Sequence, residues 1–524
     1  MSVKPWLVFL AVAAVTLVGR IPGIIAPPWD IDEGLYAAVG QAVGQGELLY
    51  RDVWDNKPPA IYFLYELIEK NFNHSYVDFR WAATFFLIAT AGVIFYLARK
   101  ISSADKAYWT LVIFSFLAIV PIFETHVTNA EIFFLLPTSL AMTLTVLVEW
   151  FGLTKRWYFL VGVTLAVGFL FKPVVLLDAL AILTLLLLKE GINLRERLTH
   201  LVLGGAAVLL IPGIYLVANN LTSDFIRAAF LNNFGYVGAG NAATVSFIDL
   251  RNPWITVTGK IAALAGVVWA VRRYYGRDQT PTALIYLWLA FTVFGALLSG
   301  RPYLHYLIAS MGALVLLIPE FFTWVWPLSK LRALRLGDLI KGLAVLTTML
   351  AALFLGFWGK VELVAANPEL TRIARGYYAN AYSYLAGYIT KDEYDDFYGE
   401  VVGLNKKLSN YLKDHTDSRA RIYIWGNAPW VYFLSGRTHA AKYLVSYQLT
   451  FVKEARDEVM AQLRDRPPDL IILTNEPGFL SEAGLPTPSF AELEAFLHQN
   501  YRLKDRVDQA EVFARVALAQ AGAP

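Results

Sequence analysis

Eleven predominantly apolar runs, most of them close to the roughly 20 residues that carry a helix across a hydrocarbon core, constrain this chain more than any other feature. They lie at 6–26, 78–98, 107–123, 130–151, 157–171, 173–188, 198–218, 254–271, 281–299, 303–325 and 338–358. Hydrophobic residues make up 57% of the 524 and charged residues 17%, against about 25% charged in an ordinary soluble domain. The expected fold is a polytopic α-helical membrane protein with about 11 transmembrane helices. In the first run, Arg20 and Pro22-Gly23 stand where a signal peptide carries small cleavage-site residues, so it is read as an uncleaved first helix.

Arginine and lysine collect at every second connection, as the positive-inside rule requires. With a cytoplasmic N-terminus, the inner loops hold Arg99, Lys100 and Lys106; Lys155 and Arg156; Lys189, Arg195 and Arg197; Arg272, Arg273 and Arg277; and Lys330, Arg332, Arg335 and Lys341. The acid-rich stretch 26–77, the turn FETHVTNAE at 123–131, the FKP junction at 171–173, the polar segment 219–252 and SGRPYLHY at 299–306 then share the extracytoplasmic face. One broken span in place of two at 157–188 would invert everything after it.

Beyond about Lys360 hydropathy falls, and short β runs RIYIW (421–425) and LIILT (470–474) alternate with helical patterns at 367–389, 394–414 and 451–466. The domains are thus 1–358, transmembrane and including the first outer loop 26–77, and 359–524, a soluble α/β domain outside the membrane after an odd number of spans. The net charge of +3 is spread along the chain and points to no nucleic acid. The absence of cysteine excludes disulfides, thiolate metal sites and cysteine nucleophiles.

The first outer loop, APPWDIDEGLYAAVGQAVGQGELLYRDVWDNKPPAIYFLY, gathers Asp30, Asp32, Glu33, Asp52 and Asp55 with Arg51 and Lys57. Charge this dense beside a membrane span is usually functional. Asp32 precedes a helical pattern and suits an N-cap, but one cap leaves the other acids without a task. Pro58 and Pro59 open a second helix in which Ile61, Leu64, Tyr65 and Ile68 form a face suited to the bilayer surface, with Lys57 just before its start. First-turn amides beside an ammonium suit a lipid phosphate. Among the other outer features, Arg301 and His305 can hold a phosphate or be a snorkelling arginine and a core histidine, and Lys172 can meet a phosphate or snorkel. Glu124, His126, Asn129 and Glu131 offer metal-ligand chemistry, although capping of the next span accounts for Asn129 and in part for Glu131.

DEGLYA followed by YRDVWDNKPP resembles the first outer loop of GT-C fold, lipid-linked-sugar glycosyltransferases, in the branch of the protein O-mannosyltransferases and the bacterial aminoarabinose transferase of lipid A. The resemblance implies a GT-C-like membrane domain, with Asp32 as catalytic acid/base beside Glu33, and Lys57 on the carrier phosphate. Asn56 stands where the aminoarabinose enzyme has a metal-linked glutamate, which leaves a divalent metal cofactor open. The expected activity is transfer of a hexosyl or pentosyl group from a polyprenyl-phosphate donor to a glycan, lipid or protein acceptor, with inversion, at the outer face of the plasma or inner membrane. Asp32 and Glu33 are the catalytic candidates; Asp55, Lys57, Lys172, Arg301, His305 and Glu131 are the substrate-binding ones. A lipid-linked-sugar flippase using the same charges only to bind, and an oligosaccharide ligase or polymerase with a diphosphate carrier, are the alternatives.

Overall fold

The structure is a computed structural model that describes residues 4–72, 75–189, 192–243, 253–275, 280–301, 303–325, 368–474 and 489–516. The expected span at 338–358 and the expected domain boundary at 358/359 lie outside these residues. The chain divides into two compact units: Met1–Ile24, Arg80–Ala218 and Tyr236–Ala374 in one, Ile25–Phe79, Asn219–Gly235 and Arg375–Pro524 in the other.

The first unit is helical. Among the described residues, five helices are long and apolar enough to cross a membrane: Pro5–Ile25, Tyr76–Ile101, Ala130–Trp150, Leu194–Ala218 and Pro281–Leu298. Several expected spans form shorter helices. Across 157–188 the chain makes Tyr158–Phe171 and Leu176–Leu188, broken at Lys172 and the short 3₁₀ turn Pro173–Val175. At about 1.5 Å per residue, each falls short of a hydrocarbon core of about 30 Å.

Small residues let these helices meet at their backbones. A Cβ on Gly162 would lie 1.9 Å from the Leu201 carbonyl oxygen, and one on Gly204 1.9 Å from that of Phe159, so Tyr158–Phe171 and Leu194–Ala218 cross with no room for a side chain. Charges buried in this unit are partnered, as burial demands. Glu149 receives Arg197 Nε at 2.6 Å, Lys189 Nζ at 2.8 Å and the Tyr158 hydroxyl at 3.2 Å. Arg20 donates to Thr84 Oγ1 and the Ala118 carbonyl, each at 2.8 Å, and to the Thr125 carbonyl at 2.7 Å. The first helix is thereby tied to the turn that follows Ala104–Ile119.

The second unit is built on a five-stranded sheet of order β2-β1-β3-β5-β4, with β1 Arg421–Trp425, β2 Thr438–His439, β3 Leu470–Thr474, β4 Tyr501–Val507 and β5 Ala510–Arg515. β1 runs parallel to β2 and β3, and β5 is antiparallel to β3 and β4. Nearly continuous apolar residues mark β1 and β3 as interior strands. β4, YRLKDRV, is exposed along most of its length, and its charges protect a sheet edge.

The first outer loop, which the sequence placed with the membrane region, forms one unit with the carboxy-terminal segment. Its aromatic residues explain why. Trp54 lies 5.1 Å from the ring of Tyr443 and 6.1 Å from that of Phe451, its amide donates to the Lys442 carbonyl at 2.9 Å, and its own carbonyl accepts from Gln448 Nε2 at 3.2 Å. Gly34, on the helix Ile31–Gly44, lies against Trp430 on the helix Pro429–Ser435, where a Cβ would stand 2.7 Å from the indole.

Candidate functional site

The helix of the first loop begins at Ile31, and Asp30 is its N-cap: its carboxylate accepts from the Glu33 amide at 2.8 Å. The cap expected of Asp32 therefore falls to Asp30. Asp32 sits in the first turn with its carboxylate turned to side chains instead, 3.3 Å from the Tyr36 hydroxyl and 3.9 Å from Lys57 Nζ, and 29% exposed. Glu33 is fully buried.

Asp55 organises the second half of the loop. Its side chain, 1% exposed, accepts from the Tyr62 hydroxyl at 2.6 Å, Lys57 Nζ at 3.3 Å and the Asn56 amide at 2.8 Å. Burial, reinforced by the Asp55 charge, pushes the Tyr62 phenol well above its ordinary value, so Tyr62 remains a hydrogen-bond donor. Lys57 Nζ also lies 4.9 Å from the centroid of the Tyr36 ring, and its carbonyl accepts from the Tyr50 hydroxyl at 2.9 Å. Asp32, Tyr36, Asp55, Lys57 and Tyr62 thus form one connected cluster. The Asn56 side chain is engaged elsewhere: its Nδ2 donates to Asn233 Oδ1 at 2.8 Å, and Asn233 Nδ2 donates to the Asn56 backbone carbonyl at 3.2 Å.

The helix after Lys57 runs Ala60–Asn71, with Pro59 at the N-cap position. The face expected at the bilayer is turned inward: Ile61, Tyr65 and Ile68 are buried and Leu64 is half-buried. Tyr65 stacks on Phe79 at 4.2 Å and meets Tyr36 edge-on at 5.7 Å. The exposed side carries Phe63 and Leu67 instead, at 37% and 56%. Apolar residues lie on both faces, and periodicity alone could not say which one the aromatic cluster would claim.

The first unit holds the remaining candidates. Lys172 pairs with Glu131, and its ammonium lies 4.3 Å from the centroid of the Tyr306 ring. Tyr306 shares a hydroxyl hydrogen bond of 3.0 Å with Tyr236, over whose ring the Arg301 guanidinium sits at 4.2 Å. His305 Nδ1 meets Glu124 Oε2 at 2.6 Å. Burial works against the Glu124 carboxylate, but the hydrogen bond and charge of His305 hold its carboxyl below the ordinary value. Burial, with help from Arg20 and Arg80, pushes His126 down to about 4 despite Glu124 beside it. Asn129 occupies the N-cap position of Ala130–Trp150, yet its side chain makes no capping bond. Glu124 and Glu131 are both committed to cations, and among the described residues no group of three or more His, Asp or Glu side chains is gathered as a metal would require.

Sequence reasoning named Asp32, Asp55 and Lys57 but missed Tyr36 and Tyr62, and Tyr236 and Tyr306. Only proximity in the folded chain marks them.

Residues 56–216 match the family model described as dolichyl-phosphate-mannose-protein mannosyltransferase. The crystal structure of ArnT from Cupriavidus metallidurans bound to undecaprenyl phosphate superposes with a TM-score of 0.57 at 15% identity, covering 98% of this chain and 99% of that one. The apo state of the same protein gives 0.57 at 15% identity, covering 98% of each chain. AglB, the archaeal oligosaccharyltransferase of Archaeoglobus fulgidus, gives 0.42 at 12% identity, covering 90% of this chain and 70% of that one, too weak for a shared fold to be argued from it. No curated protein sequence matches the chain significantly. At 15% identity the likeness to ArnT is one of fold.

Proposed function

We propose that this chain, which has the GT-C fold of lipid-linked-sugar glycosyltransferases, moves a sugar from a polyprenyl-phosphate carrier to an acceptor hydroxyl. The observation that carries the reading is the cluster in the first loop. Asp30 takes the cap, Asp55 is buried and fixes Lys57, and the Asp32 carboxylate stays partly exposed with an ammonium 3.9 Å away. A carboxylate that can accept a proton beside a fixed cation is what displacement at an anomeric carbon needs.

In the proposed step the acceptor oxygen attacks the anomeric carbon as its proton passes to Asp32. The bond from that carbon to the phosphate oxygen breaks, and the carrier leaves as polyprenyl phosphate with its new charge facing Lys57. Attack from the side opposite the leaving group inverts the anomeric centre. Glu33, fully buried in the same turn, is assigned no proton transfer. Lys172, Arg301 and His305 are proposed as substrate-binding groups; Lys172 and His305 are balanced by Glu131 and Glu124, so a phosphate reaching them would exchange for a carboxylate. ArnT has been crystallised with undecaprenyl phosphate, which supports a carrier of this class here.

The reading also places the first loop and the carboxy-terminal sheet outside the cytoplasm in a multi-pass protein of the plasma or inner membrane. Incubating purified protein in lipid with radiolabelled polyprenyl-phosphate sugars and membrane extract tests the activity. Label moving from carrier to acceptor is expected; binding without transfer would favour a flippase that uses the same charges.

A further inference from the structure

The head of the acid-bearing helix is held by residues nearly 400 positions further along the chain. Trp430 Nε1 donates to the Asp30 carbonyl at 2.7 Å, and Asn405 Nδ2 donates to the Pro28 carbonyl at 3.2 Å. The two bonds grip the two carbonyls that flank Trp29, whose ring lies 6.3 Å from that of Tyr398. Trp430 and Asn405 are both buried, and Gly34 supplies the space against which the indole lies. At its other end the same helix is met by the carboxy-terminal segment again: Gln41 Nε2 lies 3.5 Å from the Phe433 carbonyl, and Glu47, just beyond the helix, lies 2.5 Å from His439 Nε2.

The Asp30 carbonyl is a sensitive place to hold. It accepts the helical bond from the Gly34 amide at 3.1 Å, while the Asp30 side chain caps Glu33. Fixing this one peptide therefore fixes the first turn, and with it the direction in which Asp32 presents its carboxylate. Proton transfer is steeply sensitive to such placement, and an error of about 1 Å can cost on the order of a hundredfold in rate.

We infer that Trp430 and Asn405 are positioning residues for Asp32, so that the carboxy-terminal segment is a working part of the catalytic centre rather than an appended module. This rests on the function proposed above. The indole donor is already taken by the Asp30 carbonyl, so its loss separates turnover from donor binding.

The test uses the full-length protein in lipid. Trp430→Phe keeps a ring for the aromatic contacts with Tyr76 and Phe433 while removing the Nε1 donor together with the five-membered ring that carries it. It should lower kcat about tenfold, the scale of one lost buried hydrogen bond, with the donor KM and the binding of polyprenyl phosphate alone unchanged when measured well below the variant's melting temperature. Asn405→Leu, similar in size, should give the same split and serves if Trp430→Phe does not fold. Gly34→Ala should also lower kcat, because its methyl displaces the indole, and Gly34→Ala with Trp430→Phe should lose no more than Trp430→Phe alone. Full kcat in both Trp430→Phe and Asn405→Leu, or a donor KM that worsens in step with kcat, would overturn the inference. Asp32→Asn run alongside separates the two claims: if that variant is active the functional reading itself fails, whereas an inactive Asp32→Asn with fully active Trp430→Phe and Asn405→Leu sinks only the positioning role.

Discussion

Asp30 and Asp32 lie two residues apart and take different work because only one of them can reach the Glu33 amide. Lys57 shows the complementary logic: an ammonium confined to 11% side-chain exposure, between Asp55 at 3.3 Å and the Tyr36 ring at 4.9 Å, loses little further freedom when it meets a phosphate. Lys57→Ala should weaken use of the polyprenyl-phosphate donor by roughly tenfold to a hundredfold, the scale of one charge-assisted contact of about 1.5–3 kcal/mol, with the acceptor KM unchanged. Lys57→Arg should recover part of it; steady-state kinetics with the donor varied decides. His126 provides a test of a different kind. The unfolded chain takes up its proton near pH 6.5 and the folded chain near 4, so its contribution to stability is complete above 6.5 and is lost as pH falls toward 4. Melting curves of His126→Gln should therefore fall less steeply across that window than those of the parent protein. Asp32 and Lys57 were legible because charged residues beside membrane spans stand out. Asp30 as the cap was not, since three acids in four positions satisfy the same pattern and backbone geometry chooses among them.

Helices were the legible elements. Runs at 78–98, 130–151, 198–218 and 281–299 correspond to Tyr76–Ile101, Ala130–Trp150, Leu194–Ala218 and Pro281–Leu298, and RIYIW and LIILT to β1 and β3. Less legible was everything decided by a partner. The hairpin β4–β5 has a charged edge strand with no apolar signature, and the inward face of Ala60–Asn71 is chosen by Phe79 and Tyr36. The crossing of Tyr158–Phe171 and Leu194–Ala218 depends on two glycines that a hydropathy scan scores as indifferent. Gly162→Ala places a methyl against the Leu201 carbonyl. The helices should separate at a cost of about 1–3 kcal/mol, read as a lowered melting temperature in detergent. An unchanged melting temperature would show that the two helices have room to part.

For the molecule as a whole, the alternation of cationic loops argues for a carboxy-terminal segment outside the cytoplasm. A reporter active only in the extracytoplasmic compartment, fused after Pro524, should be active, and activity confined to a cytoplasmic reporter would mean that a span has been miscounted, with 157–188 the first place to look. The sequence placed the first loop with the membrane region because the two are adjacent along the chain; its actual partners, Tyr443, Gln448 and Phe451, lie almost 400 residues away, a separation no local pattern reports. The claim on which the rest depends is that Asp32 takes the acceptor proton. Measuring sugar transfer and polyprenyl-phosphate binding by Asp32→Asn in the same preparation tests it most directly. An amide of nearly the same shape cannot accept that proton, so transfer should fall at least a hundredfold, toward the roughly 10²–10⁴ expected for a lost general base, while binding is retained. Turnover at the parent rate would contradict the account.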